Sequence, residues 1–457
     1  MPALSVPFHG QGGCFFTGYI MDGFNSRAPD SNKPKVFYGW VIVAGLFGVA
    51  FFGPMGRYIL TSFFPFIMKD PGWSRETIGL AFTIHFWVYA FFALATGRFI
   101  DRIGGRTIIF CGGALMLIGL ICLSAVQRIW QFYLVFGVLL AAPLSMTHLV
   151  PNTAIVRKWF VKKAGLATGM VTIGTVLGLA ALPPVINHYS ASMGWRSICL
   201  ICGVVIGALI MLIAVLIIRN TPESMGLAPY GEEIISDQRQ PFRDDAVLSE
   251  MPRDMTIRQA LRTRTFWYIF LAYAITGIPL QGILGHVIIW GVEAGVTPAD
   301  SGLIMAMMTL PSIPVRVLAG WLGDRLGKKM VLVFFNVLTI LIWTWGWFYI
   351  KDSSSFFVFA VLNGFVYSAP FSLYTPFLGD IFGRSAVGTL MGAITLGHGL
   401  IGGIGPYLWG RIADATGSYA LNCIISAACY GVVTVLLCMI RPDSVQNSLE
   451  VRSGINA

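Results

Sequence analysis

Long apolar runs, each near the ~20 residues that cross a bilayer as a helix, recur along this chain between short polar segments. Twelve can be drawn: Tyr38–Ile67, Thr77–Gly97, Thr107–Val126, Trp130–Val156, Gly165–His188, Arg196–Ile218, Phe266–Gly291, Ser301–Leu322, Met330–Ile350, Phe356–Gly379, Ala386–Gly410 and Ser418–Ile440. The pattern predicts an all-α membrane protein with twelve transmembrane helices. A long polar interval, 219–265, holds several prolines and acidic residues and reads as a cytoplasmic linker between six-helix bundles at 37–218 and 266–440. Residues 1–36 are polar and rich in Gly and Pro, and their one apolar patch, CFFTGYIM, is too short to span. They are expected to form a disordered cytoplasmic tail, with Met21 as a second candidate start; residues 441–457 form a second tail.

Composition narrows the class. Of 457 residues, 56% are hydrophobic and 11% charged, against about 25% charged in a soluble chain. Mean hydropathy is +0.74, which excludes a water-soluble fold. The net charge of +10 does not point to nucleic acid, because the basic residues sit in short loops and make no continuous patch. Their distribution sets a topology instead. With both termini on one side, 23 Lys and Arg fall on that side and six on the other. That excess predicts cytoplasmic termini in a plasma (cytoplasmic or inner) membrane. Most of the eight cysteines lie in apolar runs, and Cys199 and Cys202 open an apolar helix with no second pair or histidine cluster, so neither a metal nor a cofactor is expected.

The two halves repeat. GRFIDRIGGR holds Asp101 and GWLGDRLGKK holds Asp324, 223 residues on. The same offset relates Gly72 to Gly295, Gly79 to Gly302, Gly165 to Gly388, Gly169 to Gly392 and Gly194 to Gly417. Repeats running in the same direction predict two bundles about an axis along the membrane normal, with a substrate site between them near mid-membrane and alternating access by rocking.

Two charges break the apolar pattern. Arg57 has no charged residue within ten positions on either side, and Arg316 lies inside GLIMAMMTLPSIPVRVLAGWL. A mid-span Arg costs ~2.5–3.5 kcal/mol on insertion scales, so it faces a partner or a wet cavity. Pro311 and Pro314 free backbone carbonyls just before Arg316, and a guanidinium satisfied by those carbonyls is the plainer reading. The functional reading is carboxylate binding, for which the planar fork is suited. Ser312, Thr309 and Met305 share its helical face. Counting from Tyr38 places Arg57 toward the outer side, on the order of 10–20 Å from Arg316 along the normal. His85, His148, His286 and His398 lie in spans, where interhelical hydrogen bonding is the plainer reading. Tyr273, Gly277 and Gln281 recur on one face of the seventh span, the periodicity of a cavity wall. Trp87 and Tyr367 read as packing or interface residues.

These features resemble the major facilitator superfamily. Its loop motif appears as Gly97–Asp101–Arg102–Gly104–Arg106 and again as Gly320–Asp324–Arg325–Gly327–Lys329. The resemblance implies that Asp101, Arg102, Arg106, Asp324 and Arg325 form a conformational latch at the cytoplasmic face. FYGWVIVAG, NTAIVRKWFVKKAGLATG and TIRQALRTRTFWYIF are similar to the monocarboxylate-transporter and oxalate/formate-antiporter branch. That branch carries a carboxylate-binding arginine where Arg316 stands, and the animal carriers have a cationic residue near Arg57. It departs at Ser312, where those carriers have an aspartate, and near Thr395, where the antiporter has a lysine; His398 lies one turn on. The resemblance implies a secondary transporter of small organic anions, with monocarboxylates as the expected class, Arg316, Arg57, Ser312, Thr309, Tyr273, Gln281 and His398 as substrate-binding candidates, and protons as a candidate co-substrate. The alternatives are a drug or metabolite exporter of the same fold and a membrane receptor or sensor. An enzyme is not expected, since no nucleophile–base set or intramembrane metal cluster is apparent.

Overall fold

The computed structural model describes residues 37–70, 72–231, 255–383 and 387–440, without the side chains of Leu94, Asp101 and Phe371. The expected tails and the middle of the linker lie outside the described residues. Twelve helices among those described are long and apolar enough to cross a membrane: α1 (Tyr38–Ile67), α2 (Arg75–Ile100), α3 (Gly105–Ser124), α4 (Ile129–Trp159), α5 (Ala164–Met193), α6 (Trp195–Leu216), α7 (Arg264–Glu293), α8 (Gly302–Leu326), α9 (Lys328–Tyr349), α10 (Ser353–Phe382), α11 (Val387–Thr416) and α12 (Ala420–Met439). Each overlies one predicted run. The largest extension is at α11, where an amphipathic turn, Arg411–Thr416, carries the helix six residues past the apolar stretch.

The ends follow from local chemistry. Ser74, Thr263 and Asp352 accept the first free N–H groups of α2, α7 and α10. The bends between spans use the repeat twice over. Gly72 and Gly295, Gly104 and Gly327, and Gly194 and Gly417 are pairs at the 223 offset, and all six take positive φ, which L side chains disfavour.

The described ends of the linker, the start of α1 and the end of α12 lie on one side of the bundle, the linker side; the opposite side is distal. The halves meet through α2 against α11, α5 against α8 and α1 against α7. A Cβ on Gly79 would strike the carbonyl of Pro406, and one on Gly302 the carbonyl of Pro183. Those prolines are themselves 223 residues apart, so the distal seam is one contact built twice. At the linker-side ends of α5 and α11, Gly165, Gly169, Gly388 and Gly392 face open space. The bundles are sealed distally and parted toward the linker. Tyr230 hydrogen-bonds to Trp159 and Val161 of the first half, and Met255 to Phe382 of the second, so the linker's described ends are fastened to different halves.

Candidate functional site

Several helices change direction in mid-span. α1 turns at Gly53–Pro54, α4 at His148, α8 at Leu310–Pro311, α10 at Ser368 and α11 at Gly403–Ile404. Proline explains the first and third, since it removes a backbone donor and its ring crowds the preceding turn. Irregular backbone at this depth is tolerable only where protein covers it or a wet cavity meets it. Arg57 sits just past the α1 turn and Arg316 just past the α8 turn. From the helix midpoints and 1.5 Å per residue, they are about 10 Å apart along the membrane normal.

Arg57 is 7% exposed. Its guanidinium carbon lies 3.8 Å from the Phe86 ring centroid and 4.7 Å from that of Tyr89, two cation–π contacts supplied by α2. Its Nε and Nη2 have no hydrogen-bond partner. Tyr58 beside it and His148 on α4 lie within electrostatic range. Arg316 is half-buried, and its Nε is likewise unpartnered. The carbonyls freed by Pro311 and Pro314 therefore do not satisfy that nitrogen. Tyr367, expected to be a packing or interface residue, interacts with Arg316 and Ser312, and with Tyr58 across the interface. The two arginine neighbourhoods thus meet through Tyr58 and Tyr367. Neither guanidinium is ion-paired among the described residues.

The other substrate candidates are more fully integrated into the bundle. Thr309 and Ser312 are both fully buried, and their hydroxyls donate to the carbonyls of Met305 and Thr309. His398 Nδ1 lies 2.9 Å from the Tyr273 carbonyl oxygen, and its Nε2 lies 3.2 Å from Gln281 Nε2. With Nδ1 as donor and Nε2 as acceptor, both contacts are satisfied by neutral imidazole. The ring ties α11 to α7, the plainer of the two readings, while Gln281 Oε1 remains buried and unpartnered. His286 is bound to Tyr419 and the Pro406 carbonyl, and His85 to the Phe136 carbonyl. Trp87 donates to the Leu400 carbonyl across the seam, as expected of an interface residue.

On the linker side, Arg106 donates to the carbonyls of Ala214 and Val215, the last turn of α6. Lys329, its repeat partner, donates to those of Cys438 and Ile440 at the end of α12. Both cap a helix C-terminus within their own half. Asp324 and Arg102 are exposed and have no ion pair among the described residues, and Arg325 lies over Trp321 at 4.1 Å. The side chain of Asp101 lies outside what the structure describes.

A second charged constellation seals the distal seam. Arg75 Nε donates to Glu293 Oε1 (2.8 Å) and its Nη1 to Asp414 Oδ1 (3.0 Å), joining α2 to α7 and α11. The Glu76 amide donates to Asp414 Oδ2, and Arg411 Nη1 to Glu76 Oε1 (3.2 Å). None of these residues is among the candidates that the sequence suggests. The available signal was the scarcity of distal basic residues, of which Arg75 and Arg411 are two.

The profile of the Major Facilitator Superfamily matches residues 46–296 and 281–454. The chain is 22% identical over 320 residues to the oxalate:formate antiporter of Oxalobacter formigenes, covering 70% of this chain and 72% of that protein. It is 23% identical over 414 residues to monocarboxylate transporter 4 of Rattus norvegicus, covering 88% and 82%. The crystal structure of a bacterial homolog of the human lysosomal transporter Spinster, in its inward-facing and occupied conformation, superposes with a TM-score of 0.66 at 15% identity, over 89% of this chain and 95% of that one.

Proposed function

The chain belongs to the Major Facilitator Superfamily and is a multi-pass integral membrane protein, and from that premise we propose that it is a secondary transporter of small organic anions, monocarboxylates first among them. The observation that carries the reading is a pair of in-span guanidiniums, Arg57 and Arg316, with unpartnered nitrogens and no ion-paired carboxylate among the described residues. Such groups are costly in an apolar medium unless an anion meets them. Tyr58 and Tyr367 line the ground between them. Relatives named for oxalate, formate and monocarboxylates support the same class. The linker side is cytoplasmic in this reading, because it carries the basic excess, and the membrane is the plasma or inner membrane. An uptake screen of labelled carboxylates in proteoliposomes tests it. Saturable uptake of a carboxylate is expected, and transport confined to neutral or cationic compounds overturns it.

Coupling follows from the same charges. Every carboxylate within the described spans lies within two residues of a helix end. The empty carrier therefore moves two cations with no central neutraliser, whereas a bound anion offsets that cost. Vesicles preloaded with substrate are expected to take up label faster than empty ones. Equal rates on a pH gradient alone would favour strict proton symport.

The motif loops bias the conformational equilibrium without touching the central site. Asp324 has no ion pair among the described residues in this distally sealed state, as a latch that engages only in the other state requires. Asp324→Asn is expected to lower turnover while leaving equilibrium substrate affinity within about twofold. Asp101→Asn should behave alike. Collapse of binding in both folded variants, read by calorimetry, would count against a latch.

A further inference from the structure

A pocket of about 20 Å³ lies within the first half, between α1, α4 and α5. It meets α4 where that helix turns at His148, so the irregular backbone there borders a cavity. The volume admits one water-sized group. None of its lining residues is charged, and its polar lining comes from His148, Asn152, Thr153, Thr168, Thr172 and Thr175.

This lining is rich in acceptors. Asn152 is 3% exposed, and its Oδ1 has no hydrogen-bond partner. Its Nδ2 faces the Thr147 carbonyl at 3.4 Å, which sets the orientation of the amide, since the swapped one brings two oxygens together. Thr153 donates its hydroxyl proton to the Leu149 carbonyl (2.9 Å) and Thr172 to that of Gly169 (2.8 Å), so both keep only lone pairs to offer. A buried acceptor left without a donor is costly. The group that fits is therefore small and donates a hydrogen bond. A carboxylate has no proton to donate. An ammonium is disfavoured, because His148 on the pocket wall lies within electrostatic range of Arg57. A hydroxyl meets every condition.

We propose that this pocket is a second substrate subsite, which takes a hydroxyl carried several bonds from the carboxylate of the transported anion. The inference rests on the anion-transport reading above and narrows its substrate class. Depth sets the spacing. From the helix midpoints and the rise per residue, Asn152 lies about 12 Å and Thr172 about 10 Å to the linker side of mid-membrane, against about 3 Å for Arg316. α4 and α8 both run from the distal to the linker side, so their side chains lean alike and the offset persists. A hydroxyl on the carbon next to the carboxylate is too close to serve both groups. Access is from the linker side. Thr172 is half-buried and shares a helical face with Gly165 and Gly169, which look onto open space there.

Isosteric acids in which a methyl replaces the hydroxyl supply the test, read by calorimetry on the full chain in nanodiscs. 6-Hydroxyhexanoate is expected to bind at least about tenfold tighter than heptanoate, because a methyl displaces water from the pocket and leaves Asn152 Oδ1 unpaired. Lactate and isobutyrate, whose hydroxyl and methyl sit beside the carboxylate, should differ by less than about threefold. Asn152→Leu should erase the preference for 6-hydroxyhexanoate while heptanoate binds as before. Thr172→Val, at a half-buried position where a fold defect is not expected, should cut that preference by about threefold. Equal binding of 6-hydroxyhexanoate and heptanoate in the parent chain overturns the proposal, as does a preference that survives both substitutions. Either result leaves the anion reading standing, since the acids still bind. If none of the four acids binds the parent chain while neutral or cationic compounds do, the anion reading falls and the subsite with it.

Discussion

Arg316→Ala is expected to abolish carboxylate binding, and Arg316→Lys to do nearly the same. The guanidinium is half-buried beside Tyr367, with an unpartnered Nε and no ion pair. A carboxylate meeting such a group makes two parallel charge-assisted hydrogen bonds in a partly desolvated site. Losing one partner of a buried charge pair costs about 2–5 kcal/mol, roughly thirty-fold to several thousand-fold in Kd. Lysine keeps the charge but offers a point donor, so the fork geometry goes with the guanidinium. The substrate-free protein should respond in the opposite sense. An unpaired cation in a span is a liability, so Arg316→Ala should raise the melting temperature of the empty carrier while eliminating the rise that substrate produces. Both changes are read in one thermal-shift series. Normal substrate stabilisation in Arg316→Ala would refute the carboxylate site, and a lower melting temperature in the empty variant would mean that the arginine is structurally satisfied after all.

Leucine at Gly169 and Gly392 is expected to arrest transport without unfolding the protein. In this state both glycines face open space, as do Gly165 and Gly388. A helical glycine costs about 1 kcal/mol relative to alanine, and these four have no close neighbour in this state to justify it. At the opposite ends of the bundles, the distal seam shows what such glycines do. Gly79 and Gly302 admit the carbonyls of Pro406 and Pro183 directly onto the helix surface. When the bundles rock, the linker-side ends of α5 and α11 must close, and the glycines there provide the flat surface for it. Gly169→Leu/Gly392→Leu should therefore bind substrate from the linker side with unchanged affinity, with turnover lowered at least tenfold. Gly79→Leu should do the reverse, breaking the distal seam. Calorimetry and proteoliposome flux separate the two effects, and wild-type flux in the leucine pair would show that closure does not use these surfaces.

Much of the architecture was legible because a bilayer imposes a strong local rule. A span must be apolar for about 20 residues, and its backbone must be hydrogen-bonded within itself, so length and hydropathy alone mark a helix. That is why the twelve predicted runs and the twelve observed helices coincide, and why α11 overran its apolar stretch where the chain became amphipathic. The 223-residue offset was legible for a related reason, because the turn after each repeat's second span requires positive φ at Gly104 and at Gly327. Arg57 and Arg316 stood out because a charge in an apolar run is expensive wherever it ends up.

What surrounds those charges was not local. Phe86 and Tyr89 reach Arg57 from the next helix, and Tyr367 reaches Arg316 from α10; only the packing of spans decides such neighbours. The same packing spent His398 on Tyr273 and Gln281, the plainer of its two readings. The distal charged cluster lay further out of reach. Arg75 meets Glu293 and Asp414 across 218 and 339 residues, and those pairs have no counterpart at the repeat offset. They exist only while the halves are sealed on that side. The sequence by itself determined the spans, their repeat and the two stranded cations, because each of these follows from the free energy of placing a segment in lipid. Which end of the bundle is shut, and which charges shut it, was decided by tertiary structure, because it depends on a small difference in free energy between two packings of the same twelve helices.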